Sequence, residues 1–176
     1  MGAGFDLTVN LDDAELDAVL SRAIKDGADM RRPMGEIAEE WLEHVRERFQ
    51  QERDPMGVPW KKRRIDPNAP INVKDASRKV LHLSGDLERA VVPEFGSDFA
   101  QVGVLKTAGP ARYARIHNEG GTIVPRMAKA LSFGGRMVAK VVMPKRTYID
   151  FGDAERRSVV EILTDFARGL FGKSAA

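Results

Sequence analysis

The sequence predicts an α+β fold, with helices at both ends of the chain packed on an antiparallel β-sheet that carries an extended hairpin. Up to about residue 52, apolar residues recur at helical spacing. After about residue 80, β-branched residues alternate with glycines and turn formers, which is typical of short strands joined by tight turns. A final apolar stripe at helical spacing closes the chain. Runs of helix and runs of strand that are separated in this way favour an α+β architecture.

The first part of the chain predicts two helices after a short strand over residues 5–11. The first helix follows Asn10 or Asp12 and ends near Gly27. The second begins near Arg32, because Pro33 suits the first helical position. Its predicted buried stripe consists of Ile37, Trp41, Leu42, Val45 and Phe49. Its predicted solvated face consists of Glu39, Glu40, Glu43, Arg46, Glu47 and Arg48.

An ordered loop is predicted over residues 53–73, where proline, glycine and asparagine are too dense for a long regular element. Asp54-Pro55 ends the second helix, and Trp60 follows as a large amphipathic side chain that can anchor the loop. Four cations come directly after it, namely Lys61, Lys62, Arg63 and Arg64. We therefore expect the loop to belong to a single domain spanning residues 1–176, with Trp60 as its anchor.

The second part predicts strands, short helices and one long terminal helix. A short helix is expected over residues 74–80, a helical turn capped by Ser84 after it, and strands at 90–92 and 99–105. A further helical segment ends at Gly120-Gly121. Residues 127–143 are predicted to form a β-hairpin arm around Gly134-Gly135, with residues 137–143 as its second strand. The last helix is capped by Asp153, and its predicted apolar face consists of Val159, Val160, Leu163, Phe166, Ala167 and Leu170.

Composition limits the classes of protein that fit this chain. With 176 residues and a mass of 19.5 kDa, the chain suffices for one domain with a substantial core. No cysteine is present, so disulfides and thiolate chemistry are excluded. No apolar stretch approaches the roughly 20 residues that span a bilayer. We therefore expect a soluble protein that makes no membrane contact and carries no secretion signal.

The residue patterns predict no catalytic, cofactor-binding or metal-binding site. The three histidines, His44, His82 and His117, lack the spacing of a zinc motif. The serines lie in no nucleophile-elbow context, and the glycines form no phosphate-binding loop. We accordingly expect a protein that is not an enzyme. A metal-dependent hydrolase using His117 or Glu119 is the least favoured interpretation.

The basic run Lys61–Arg64 leaves two interpretations open. It can contact phosphates or line an electropositive channel, or it can be an ordinary solvated loop. The net charge of only +2 means that a nucleic-acid interaction has to rest on such local clusters. Further cations in the second half are Arg112, Arg115, Arg126, Lys129, Arg136, Lys140, Lys145 and Arg146. A sequence-independent nucleic-acid-binding protein is therefore the alternative function that the sequence supports.

Four segments in fixed order resemble the phage virion morphogenesis family, which contains the tail completion proteins of Mu-like and P2-like phages and is related to head–tail connector proteins. The segments are RDPMGVPW, KVLHLSGDLERAV, VGVLKTAGPARYARIHNEGG and MPKRTYIDFGD. The residues that match the family pattern are Asp54, Gly57, Trp60, Leu83, Gly85, Leu87, Tyr113, Ala114, His117, Gly120, Pro144, Arg146 and Tyr148. Thr147 departs from the pattern, because many relatives carry a second proline there.

This resemblance implies a structural protein of the virion that completes the tail and takes part in head–tail joining. It implies a ring of six copies around the DNA path, with the family residues at interfaces. The implied partners are further copies of this chain, the tail terminator or tube, and head connector proteins. Lys61, Lys62, Arg63 and Arg64 are then expected to contact DNA in the lumen without sequence preference. The implied location is the neck or tail end of the virion, and the host cytoplasm during assembly, including production from a prophage.

Overall fold

The computed structural model describes residues 29–62, 79–82, 84–125, 129–133 and 136–171, together with positions 18, 21 and 25. The predicted strand at 5–11, most of the first predicted helix and most of the helix at 74–80 lie outside these residues. So do Arg63, Arg64, Leu83 and Gly134-Gly135. Of the first predicted helix, Ala18, Ser21 and Lys25 are described, and all three are helical.

Four helices are described after residue 28. The long helix α1 spans Arg31–Gln51, and the single turn α2 spans Asp86–Arg89. Helix α3 spans Ala111–Glu119, and the terminal helix α4 spans Asp153–Phe171. Ile37, Trp41, Val45 and Phe49 follow one another at intervals of four and are all buried, so the predicted stripe of α1 is confirmed.

Within the described residues, six short strands pair antiparallel in three two-stranded sheets. Strand β1 (Val91–Phe95) pairs with β2 (Ala100–Val104), with Val91 opposite Val104. Strand β4 (Leu131–Phe133) pairs with β5 (Arg136–Val138). Strand β3 (Gly121–Ile123) pairs with β6 (Val141–Met143), and the β4–β5 hairpin lies between these two strands in the sequence. The predicted α+β class is confirmed, and the described strands form three small sheets where one was expected.

The predicted strand over residues 137–143 is divided in the structure. Residues 136–138 complete the hairpin with β4, whereas 141–143 turn away to pair with β3. Two predicted caps also differ. Gly85 occupies the cap position of α2, although Ser84 Oγ does accept a bond from the Asp86 N–H at 3.4 Å. Asp153 is the first residue of α4, and Glu155 binds the N–H of Gly152 at 2.8 Å, which is the reciprocal half of a capping box.

Two groups of apolar side chains form the core. The larger group joins α1 to β1, β2, α3 and the residues before α4; its members include Trp41, Phe49, Trp60, Val102 and Tyr148. The smaller group lies between α1 and α4 and contains Met30, Ile37, Val159 and Leu163. Within the described part of the chain, no helix has the length and apolar character required to cross a membrane.

Candidate functional site

The residues before α4 form an extended segment, Arg146–Asp150, that runs through the core without belonging to a strand. Its first four residues are buried, and Tyr148 and Ile149 are almost completely so. A buried backbone that lacks a sheet partner must satisfy its N–H and C=O groups in another way. In this protein, side chains from α1, the loop after it and α3 supply most of those hydrogen bonds.

Helix α3 contributes Asn118, whose amide contacts three backbone groups of this segment. Its Oδ1 accepts from the N–H groups of Tyr148 and Ile149, both at 2.9 Å. Its Nδ2 donates to the carbonyl of Ile149 at 3.1 Å. The Tyr148 hydroxyl in turn donates to the Ala114 carbonyl at 2.9 Å. Asn118 therefore replaces the neighbouring strand that the segment lacks.

Helix α1 contributes two donors to the same segment. Trp41 Nε1 donates to the carbonyl of Asp150 at 3.2 Å. Arg48 Nη1 donates to the carbonyls of Tyr148 and Asp150, at 3.2 and 3.0 Å. The ring of Trp41 also packs edge-on against Phe151, with centroids 5.3 Å apart. Helix α1 therefore binds the segment through hydrogen bonds as well as through apolar packing.

The turn after α1 is closed by its own hydrogen bonds. Asp54 Oδ1 accepts from the N–H groups of Met56 and Val58, at 2.9 and 2.8 Å. The N–H of Asp54 donates to the Val58 carbonyl, and Arg53 Nη1 donates to the Gly57 carbonyl at 2.7 Å. Gly57 has φ 77°, a conformation that favours glycine. Asp54 and Gly57 therefore shape a rigid turn between α1 and Trp60.

Trp60 joins this turn to the buried segment. Its Nε1 donates to the Thr147 carbonyl at 3.2 Å, and its ring packs edge-on against Phe49, with centroids 5.6 Å apart. The next residue contributes as well, because Arg146 Nε donates to the Lys61 carbonyl at 3.0 Å. Trp60 is buried, as an anchor should be. The predicted role of Trp60 in packing the loop onto the core agrees with these contacts.

A buried ion pair lies beneath this region, between Arg48 and Glu155. Arg48 Nη2 contacts Glu155 Oε1, and Glu155 is only 2% exposed. His44 Nδ1 lies 3.3 Å from the same carboxylate oxygen. Burial lowers the pKa of Arg48 from its ordinary value, and the carboxylates of Glu155, Asp150 and Asp54 oppose that shift. Because Arg48 satisfies both Glu155 and two carbonyls, it connects α1, the buried segment and α4.

Three separated sequence segments thus meet at one centre, which we call the motif centre: Asp54–Lys61, Ala114–Gly120 and Arg146–Asp150. The sequence model of one protein family, described as the phage virion morphogenesis family, matches residues 11–166. The chain belongs to that family. Its role therefore lies in the assembly of a phage virion, and the protein is associated with the virion. Comparison with curated proteins and with solved structures gave no match.

The matched range includes every family-pattern residue named from the sequence, and the structure describes all of them except Leu83. Asp54, Gly57, Trp60, Arg146 and Tyr148 belong to the motif centre. Gly120 ends α3 with φ 74°, and a Cβ there would lie 2.7 Å from the backbone nitrogen of Lys145. Pro144 directly precedes that close approach. Gly120 therefore permits the close approach of the end of α3 to the residue that precedes the buried segment.

Of the remaining predicted residues, Gly85, Leu87 and Tyr113 lie outside the motif centre, and His117 belongs to it. Gly85 and Leu87 belong to α2, where Leu87 is buried in the larger core group. Tyr113 is exposed and packs edge-on against His117. The His117 carbonyl accepts from the N–H of Arg146 at 3.0 Å. These positions fit a role in packing, and within the described residues no group of three metal-ligating side chains is brought together.

Of the four predicted DNA-contacting cations, Lys61 and Lys62 are described, and both are exposed. Lys62 Nζ lies 3.1 Å from Glu52 Oε2, so part of its charge is balanced within the chain. Arg146, which was counted with the basic residues of the second half, is buried and hydrogen-bonded. Among the described cations, Lys62 and Arg146 therefore contribute less positive surface than the sequence indicates.

The most connected polar residues in and beside the motif centre are ones that the sequence prediction missed, namely Arg48, Asn118 and Glu155. Arg48 was placed on the solvated face of its helix, and this is wrong, because it is buried against Glu155. A signal was available, since Trp41, Val45 and Arg48 follow helical spacing along one face. Asn118 and Glu155 carried no comparable signal, because their partners are distant in sequence.

His117 makes stability depend on pH. Burial, with Arg146 as the smaller cause, lowers the pKa of His117 below its ordinary value. Between the unfolded-state pKa of about 6.5 and that lowered pKa, the unfolded chain binds the proton more readily, so stability falls as the pH falls. We expect His117→Gln to reduce this loss when unfolding by urea is measured from pH 7.5 to 5.

His82→Gln is the matched control for this measurement, because His82 lies largely exposed beside Glu88. An equal slope for the two variants would contradict the assignment to His117.

Proposed function

We propose that this protein completes the phage tail and joins it to the head, as a ring of six copies around the DNA path at the neck. Membership of the phage virion morphogenesis family over residues 11–166 carries this proposal. Ring closure requires two different, complementary surfaces on each copy. The proposed neighbours along the particle are the tail terminator or tube on one side and head connector proteins on the other.

The way the motif centre uses its polar atoms supports a structural role. Asp54, Trp60 and Asn118 direct their side-chain polar atoms at backbone groups of this chain. A catalytic group has to present its reactive atoms to a substrate. The family residues are engaged instead in fixing loops to a core, which suits a protein whose surface must be presented rigidly to neighbours. We accordingly propose that the protein is not an enzyme.

Deletion of the gene from the phage or prophage tests this function. Electron microscopy of the induced lysate is expected to show DNA-filled heads and finished tails that remain separate, and supply of the protein from a plasmid should restore joined particles. Normal joined particles from the deletion strain would contradict the proposal. Native mass spectrometry of the protein and of isolated necks would test the ring, and a strict monomer in both would refute it.

A second candidate is sequence-independent contact with nucleic acid, which the exposure of Lys61 and Lys62 favours. Such binding should weaken steeply with salt, because it releases counterions from the phosphates. Fluorescence anisotropy with a duplex of arbitrary sequence would measure it, with Lys61→Gln/Lys62→Gln as the test variant. Arg112→Gln/Lys140→Gln is the control of equal charge at other exposed positions. If the unmodified protein does not bind duplex even at low salt, this candidate fails.

A further inference from the structure

The turn after α1 presents apolar side chains to solvent on a fixed backbone. Met56 is 76% exposed and Val58 is 57% exposed, although the hydrogen bonds of Asp54 hold both of their N–H groups in place. We call Asp54–Val58 the apolar turn. Most of the surface of these two side chains stays in contact with solvent in a single copy. A rigid turn that displays apolar groups loses little conformational entropy when a partner covers them.

A groove of matching character lies between α1 and α4. Three apolar residues of α4 contribute to it, namely Ile162, Phe166 and Leu170. Phe166 is partly exposed, and Leu170, which was predicted to lie on the buried face of the terminal helix, is 36% exposed. Acidic residues also line the groove, and these are Glu36, Glu40, Glu161 and Asp165. Arg32, paired with Glu36, is the only cation among its described lining residues.

The apolar turn and this α1–α4 groove lie at opposite ends of the same helix pair. Arg48, near the end of α1, contacts Glu155 in the first turn of α4, so the two helices run antiparallel. The groove lies beside Arg32 and Glu36, at the start of α1. Because α1 has 21 residues, its two ends are separated by roughly 30 Å. One copy therefore cannot place its own turn in its own groove.

The charges around the two surfaces are complementary. The apolar turn is bordered by the exposed cations Arg53, Lys61 and Lys62, of which Lys62 is paired with Glu52. The groove carries the four carboxylates named above, of which Glu36 pairs with Arg32 and Asp165 pairs with Arg168, so its charge is acidic on balance. Opposite charges around an apolar centre steer two surfaces together and fix their register. The occupant of the groove should therefore be a surface that is apolar at its centre and basic at its edge. The apolar turn of another copy of this chain has both properties.

We propose that the apolar turn of one copy docks in the α1–α4 groove of the next copy, with Met56 and Val58 against Phe166 and Leu170. Such a contact is heterologous, because it joins two different surfaces, and it closes a ring when successive rotations add to a full turn. The inference rests on the proposed ring and names the two surfaces that build it. It also gives the Asp54, Gly57 and Trp60 pattern a purpose, since these residues fix the turn that docks.

Cysteine cross-linking tests this contact without background, because the chain contains no cysteine of its own. The test variant is Met56→Cys/Gly169→Cys; Gly169 is exposed, and a Cβ there meets open space. Under mild oxidation it should give a ladder of covalent dimers, trimers and larger species on a non-reducing gel. Met137→Cys/Gly169→Cys is the matched control, because Met137 is 70% exposed but lies on β5. The control should remain largely monomeric.

Assembly provides a second readout. Met56→Glu should abolish formation of the oligomer seen by native mass spectrometry, because it buries a charge and opposes the acidic groove. Met137→Glu makes the same chemical change at a similarly exposed position and should leave the oligomer intact. Circular dichroism should show both variants folded, since each change is at the surface. If both variants assemble alike, the proposed contact is wrong.

The outcomes separate this contact from the proposed ring. Both tests are made on the purified protein at increasing concentration and on necks isolated from virions. A ring together with a covalent ladder from Met56→Cys/Gly169→Cys supports the contact. A ring whose ladder does not exceed that of the control overturns the contact and leaves the ring standing. A monomer in both preparations overturns the ring and the contact together.

Discussion

Replacing Arg48 by methionine is expected to lower the free energy of unfolding by about 3–5 kcal/mol, because the buried Glu155 carboxylate loses its guanidinium partner. Within the described part of the chain, that carboxylate keeps only the N–H of Gly152 and the His44 ring beside it. Methionine keeps much of the apolar length of the side chain, so that the change mainly removes charge and donors. The two carbonyls of Tyr148 and Asp150 also lose their Arg48 donor. Urea denaturation followed by circular dichroism would measure the change.

Two variants separate the charge from other effects of this substitution. Arg46→Met lies on the same helix, where Arg46 pairs with Glu43 at the surface, and it should change stability by less than about 1 kcal/mol. Arg48→Met/Glu155→Gln removes the unpaired charge while keeping an oxygen for the N–H of Gly152, and it should regain part of the loss. A double variant no more stable than Arg48→Met would show that charge burial is not the cause.

Replacing Asn118 by leucine is expected to be comparably severe. The two residues are similar in size, but leucine leaves two N–H groups and one carbonyl of the buried segment unpaired. Each unsatisfied buried group costs about 1–3 kcal/mol. Hydrogen exchange measured by NMR should locate the damage, since the amides of Tyr148 and Ile149 are expected to exchange much faster. Urea denaturation would measure the total loss.

Glu119→Leu is the matched control for this prediction, because Glu119 is the next residue of α3 and its side chain, beside Arg115, is 43% exposed. It should leave both amides protected. Protection of Tyr148 and Ile149 that survives in Asn118→Leu would mean that other groups hold the buried segment. In that case the motif centre would not depend on α3 in the way that the distances indicate.

In the motif centre, family segments that are distant in the sequence contact one another. Asp54 closes the turn, Trp60 attaches it to the Thr147 carbonyl, and Arg146 binds the carbonyl of Lys61. Loss of any one contact would loosen the apolar turn from the core. The same residues thus connect the stability of a single copy with the surface that we propose for assembly.

Local patterns in the sequence determined much of this protein. Periodicity and turn-forming residues predicted the apolar stripes of α1 and α4 and the strands around Gly96–Phe99. These signals depend only on residues that are close in sequence. The ordered motifs were also sufficient for the family assignment that the match over residues 11–166 establishes. Trp60 was recognisable as an anchor because it is a large amphipathic ring among turn formers, but the sequence left open whether it packs on the core or on a neighbouring subunit.

Only the tertiary structure decided which distant groups meet. Pairing of β6 with β3, across the intervening hairpin, depends on contacts that no local period encodes. The hydrogen bonds from Asn118 to the buried backbone and the ion pair of Arg48 with Glu155 also join residues that are distant in sequence. Buried polar groups need partners, and folding decides which residues are near enough to provide them. A polar residue in the sequence shows what it can bind, whereas its burial and its partner are properties of the folded chain.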